Sequence, residues 1–153
     1  MTEPAAGDRA QAAVAADLLV HGAAVNRLSL ALTATGVVAL LAQALVQPHR
    51  IAMALTSLAV IAGLAQLWFA LRVGFDARAF QRLARGDAPE GLTVTAFDAA
   101  MSGLGLMPAD KERRPIAERV RGAMRLLGRQ VAFLLLQAAL LVAGGWVLAA
   151  VKG

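Results

Sequence analysis

Three stretches of this 153-residue chain run apolar without interruption by charge, and the charged positions collect between them. Residues 28–47, LSLALTATGVVALLAQALVQ, hold no charged side chain over their whole length. At 1.5 Å per residue the run gives about 30 Å of helix, the thickness of a bilayer's hydrocarbon core. Residues 51–71, IAMALTSLAVIAGLAQLWFAL, repeat the pattern after only Pro48, His49 and Arg50, so the spacing predicts two antiparallel spans joined by a tight turn. A third run, VAFLLLQAALLVAGGWVLAAV at 131–151, is bounded by Arg129 before it and Lys152 after it.

The segment between the second and third runs has a different period. Phe75, Ala79, Phe80 and Leu83 recur at helical spacing and continue the second span, with Gly86 as a stop signal. TVTAFDAAMSGLGL then predicts a short amphipathic helix, with Thr95 and Asp98 at capping-box spacing and Phe97, Ala100, Met101 and Leu104 on one face. Pro115 opens a further helix in the first-turn position that tolerates proline. On it, Ile116, Val120, Met124 (or Ala123), Leu127 and Val131 form an apolar stripe, and Arg121, Arg125 and Arg129 form a second stripe at four-residue intervals. Both stripes lead directly into the third span. Residues 10–27 are Ala-rich and predict a helix that prolongs the first span. The organisation expected is an N-terminal helical arm over 1–27, a transmembrane hairpin over 28–71, a helical insert over 72–130 and a third transmembrane helix over 131–153. The fold class is all-α, an integral membrane protein with three transmembrane helices and a helical cytoplasmic insert.

Composition agrees, with 59% apolar and 16% charged residues and a mean hydropathy of +0.64. The formal charge of +5 fits either a nucleic-acid partner or the positive-inside bias of a membrane protein, and position separates the two. Arg9 and Arg27 precede the first span, and eleven of the fifteen Lys and Arg residues lie in 72–130. Only Arg50 and Lys152 fall on the other side. The bias places the N-terminus and the insert in the cytoplasm and the C-terminus outside, across a bacterial inner (plasma) membrane. Trp68 and Phe69 near one boundary and Trp146 near the other fit an aromatic belt. No nucleic-acid-binding motif is present, and Glu112 and Glu118 interrupt the basic run, so nucleic acid is not expected as a partner. The start of the chain is acidic and does not read as a removable signal peptide.

Cysteine is absent, which removes disulfides, thiolate metal sites and cysteine nucleophiles. The three runs contain no Asp, Glu, Lys, Arg or His, which argues against ion-coupled transport and intramembrane acid–base catalysis. No metal or cofactor is expected, and an enzyme is the least favoured class. The candidate residues fall into three groups. Arg114, Arg121, Arg125 and Arg129 would meet anionic phospholipids or an acidic partner, although topology alone would also place arginines there. If the first two spans fold about residues 48–50, Thr33 falls level with Gln66 and Gln43 level with Thr56, and Gln137, about six residues inside the third span, lies at the depth of Thr33 and Gln66. They predict an interhelical polar layer, which serves as helix glue or holds a ligand head group. Asp17 and His21, four apart, form a weaker pair that would orient the imidazole or act only structurally. The favoured function is a non-catalytic accessory subunit or assembly factor of a larger inner-membrane complex, with other membrane subunits as partners. The alternative is a membrane protein that handles a small molecule, quinone or lipid through the polar layer.

Overall fold

The computed structural model describes residues 6–46, 48–86, 91, 93–105 and 115–152. The described residues are all-helical, with no strand. Five helices follow one another: α1 (Ala6–Val20), α2 (Gly22–Val46), α3 (Arg50–Arg85), α4 (Val94–Gly103) and α5 (Ile116–Lys152). Three helical stretches, Gly7–Val46, Arg50–Arg85 and Ile116–Val151, are long and apolar enough to cross a membrane. Between 11% and 28% of the most apolar part of each is buried within the molecule, so most of that surface faces outward. By composition and length, the chain is suited to a multi-pass membrane protein.

The chain packs as two units. One comprises 1–21 and 73–126, the other 22–72 and 127–153. In the second unit the helix registers follow from specific contacts. Gln43 on α2 meets Thr56 on α3, and Thr33 meets Gly63, so α2 and α3 run antiparallel about the turn at 48–50. Ser29 and Gly22 on α2 meet Gln137 and Gln130 on α5, in each case 108 residues later, so α2 and α5 run parallel.

The second unit is polar and small inside and apolar outside. Gly22, Ser29, Gly36 and Gln43 are the buried residues of α2, and they recur every seventh residue. Ala52, Ala59 and Gln66 repeat the interval on α3, and Gln130, Gln137 and Gly144 on α5. A seven-residue repeat keeps one narrow seam of each helix turned toward its neighbours in a left-handed coil. Leu41, Leu45, Ile61, Leu64, Leu135 and Trp146 are exposed on the opposite faces. Outward leucines with small and hydrogen-bonding residues at the contacts are the pattern of helices that associate in hydrocarbon.

The other unit has an ordinary apolar core made of Ala12, Ala15, Ala16 and Leu19 from α1, Val73, Ala77, Phe80 and Leu83 from α3, and Ile116 and Ala123 from α5. Helix α3 ends where the glycine signal placed it: Gly86 has φ +56° and donates to the Leu83 carbonyl at 3.2 Å. Helix α4 starts earlier than its capping-box spacing suggests. Thr93, not Thr95, is the N-cap, and its hydroxyl accepts from Ala96 N–H at 3.2 Å. Asp98 is thereby released from capping and is buried instead. The predicted apolar face of α4 is also modified, since Ala100 and Leu104 are exposed while Phe97 and Met101 are half-buried. On α5 the pattern is carried by Ile116 and Ala123, and Gln130 rather than Val131 takes the next inward position.

Candidate functional site

The polar groups of the second unit assemble around Gln137. Its carboxamide oxygen accepts the Ser29 hydroxyl at 2.7 Å, and its nitrogen donates to Thr33 Oγ1 at 2.8 Å and to the Ser29 carbonyl at 3.3 Å. Thr33 Oγ1 in turn donates to the Ser29 carbonyl at 2.8 Å. Every donor in the Ser29, Thr33 and Gln137 group therefore has an acceptor within the group. Access to this arrangement depends on Gly63. A Cβ at that position would overlap Thr33 Oγ1 and stand 2.5 Å from Gln137 Nε2.

Of the three residues that the depth argument grouped, Thr33 and Gln137 are thus hydrogen-bonded to each other, and Gln66 is not joined to them by any hydrogen bond. Gln66 is fully buried, and neither its Nε2 nor its Oε1 has a hydrogen-bond partner among the described residues. Ser29 and Gln130 belong to the same seam but lay outside the predicted layer. Gln130, also fully buried, donates to the Gly22 carbonyl at 2.8 Å and keeps an unpartnered Oε1. Toward the turn, Gln43 donates to Thr56 Oγ1 at 3.3 Å, and Thr56 donates to the Ala52 carbonyl at 2.9 Å. The equal depth of Gln43 and Thr56 was legible from the fold about 48–50.

The arginine stripe is displayed as its spacing requires. Arg121, Arg125 and Arg129 are exposed on α5, and Arg121 Nε reaches the Ala117 carbonyl one turn back at 3.4 Å. Arg125 and Arg129 form no ion pair among the described residues. Arg114 lies outside the described residues. A neighbouring arginine behaves differently. Arg119 is turned inward, where its Nη2 contacts both carboxylate oxygens of Asp98 at 2.7 and 2.9 Å, and its guanidinium lies 5.8 Å from the centre of the Phe97 ring. The side chains retain 14% and 10% exposure, so the pair is largely shielded from water. It ties α4 to the start of α5.

Asp17 and His21 also meet, through the backbone rather than the carboxylate. His21 N–H bonds to the Leu18 carbonyl at 3.3 Å, a tightened turn, while His21 Nδ1 lies 2.9 Å from the Asp17 carbonyl. A carbonyl can only accept, so Nδ1 carries the proton and the ring replaces the backbone donor that Asp17 loses at the end of α1. Both side chains are exposed, and the Asp17 carboxylate takes no part. This pair ends a helix. Among the described residues, no cluster of three or more His, Cys, Asp and Glu could hold a metal ion.

Comparison with known proteins returns no matching family model, no matching curated protein and no matching solved structure.

Proposed function

We propose that this chain is an integral inner-membrane protein of three spans that acts as a non-catalytic accessory subunit or assembly factor. It docks through the basic face of its cytoplasmic helices. The observation that carries the reading is the exposed row Arg121, Arg125 and Arg129, set immediately before an apolar helix. Arginines in that position meet acidic head groups and acidic protein surfaces, each worth about 1 kcal/mol near an anionic leaflet. The inside-out packing of the second unit supports insertion, because lipid solvates outward leucines and leaves small and polar residues to join the helices. The same positive bias orients the chain with its N-terminus in the cytoplasm.

Purification of the full chain in mild detergent, followed by mass spectrometry of the isolated species, tests the reading. A stoichiometric membrane partner is expected, with its occupancy reduced when Arg121, Arg125 and Arg129 are all changed to Gln. A protein that runs alone, with no stoichiometric partner, overturns it.

A further inference from the structure

We infer that Gln66 holds a neutral hydroxyl group inside the second unit. The site is independent of the docking surface, and it differs from the Ser29, Thr33 and Gln137 group, whose members satisfy one another.

Gln66 has no exposed surface, and both atoms of its carboxamide are unpartnered among the described residues. An amide so placed has lost its water and gained nothing in return, which is costly enough that native interiors rarely permit it. Its surroundings are fixed by register. One turn along α3 on one side, Gly63 meets Thr33 and Gln137; one turn on the other, Phe69 stacks on Phe133 with ring centres 5.4 Å apart. Gln66 therefore lies between a closed polar layer and an aromatic pair.

The chemistry of the occupant follows from the unmet atoms. Gln66 offers two N–H donors and one carbonyl acceptor, so its occupant must both accept and donate. A ketone or ether only accepts. A cation would face the N–H pair with no carboxylate in any of the three apolar runs to balance it. A hydroxyl satisfies both requirements while staying neutral. Farther along the seam, toward the Gly22 contact, Asn26 Oδ1 and Gln130 Oε1 are also buried and unpartnered. The hydroxyl belongs either to an internal water or to the glycerol of a lipid head group, and the two sources are distinguishable.

The test is magnetisation transfer to the Gln66 side-chain amide in the full-length, nitrogen-15-labelled protein, reconstituted in phosphatidylglycerol nanodiscs. The amide is assigned by its through-space contact to the Gly63 α protons and by its loss in Gln66→Met, so assignment survives a variant that does not fold. Transfer from water that persists in phosphatidylcholine discs supports the site with water as its occupant. Transfer from the free glycerol hydroxyls, lost on the same exchange of lipid, supports it with a lipid hydroxyl. Transfer from protein protons alone, or from nothing, overturns the inference.

Discussion

Ser29 and Gln137 are joined by a 2.7 Å hydrogen bond across 108 residues of sequence, and Gly22 and Gln130, seven residues earlier on each helix, repeat the same separation at 2.8 Å. Two parallel helices thus share one register, marked by a glutamine on α5 at each contact. The glutamines do different work: Gln137 answers a side-chain hydroxyl, and Gln130 answers a backbone carbonyl.

The Ser29 and Gln137 bond should register in a double-substitution cycle. Gln137→Leu removes three hydrogen bonds and is expected to cost about 1–2 kcal/mol, with about 0.6 kcal/mol of coupling to Ser29→Ala, the scale measured for contacts between membrane helices. Unfolding of detergent-solubilised protein by a denaturing surfactant measures both. Purely additive effects would show that the bond contributes nothing beyond packing.

Gly63→Ala tests the close approach of α3 to the other two helices. The added methyl has no space between Thr33 Oγ1 and Gln137 Nε2, and overpacking of this kind costs about 1–3 kcal/mol. Gly74→Ala, on the same helix, meets nothing within 4 Å and is expected to stabilise by up to about 1 kcal/mol through helix propensity. The sign of the difference, read as two thermal midpoints, is the decisive quantity.

Asp98→Asn keeps the shape of α4 and removes the charge that Arg119 neutralises. The expected loss is about 1.5–3 kcal/mol, the range for a charge-assisted bond in a shielded position. Phe97→Leu should cost a further 0.5–1 kcal/mol or so through the guanidinium and ring contact. Limited proteolysis of the 87–115 region provides the readout, with faster cleavage expected in both variants. Unchanged cleavage in Asp98→Asn would separate the pair from the anchoring of α4.

Orientation is tested by reporters that are active on only one side of the membrane. A fusion after Gly153 is expected to report the outside, and one inserted between Asp87 and Glu90 the cytoplasm. A cytoplasmic signal from the C-terminal fusion would reverse the topology and the leaflet assigned to Arg121, Arg125 and Arg129.

The three apolar helices were legible because an uninterrupted apolar run of spanning length has few other solutions, and the Gly86 stop because glycine alone enters positive φ cheaply. The shared depth of Thr33 and Gln137 was legible from Gln137's position about six residues inside the third span. Depth does not specify azimuth. Gln66 occupies the anticipated region of α3 without bonding to the other two, because Gly63, one turn away, is the residue that faces them. Gln130 stands next to Arg129, at the edge of the charge-free run, where charge rather than the inward seam dominates the pattern. The seven-residue interval from Gln130 to Gln137 to Gly144 was the signal that would have recovered it. Thr95 and Asp98 have a capping spacing, but a capping side chain and a buried ion pair compete for the same carboxylate, and Arg119 takes it.

The seven-residue seam also restricts how this chain can change length. Each residue added inside a helix turns everything beyond it by about 100°. A single insertion near Ala34 would swing Gly36 and Gln43 out of the seam and turn an apolar residue into it. A total of three or four would return the seam to within about 60° of its direction, with local overwinding or unwinding, and about seven would bring it back one repeat deeper. Helix length here is therefore quantised, and tolerated insertions and deletions should collect in the segments that join the helices.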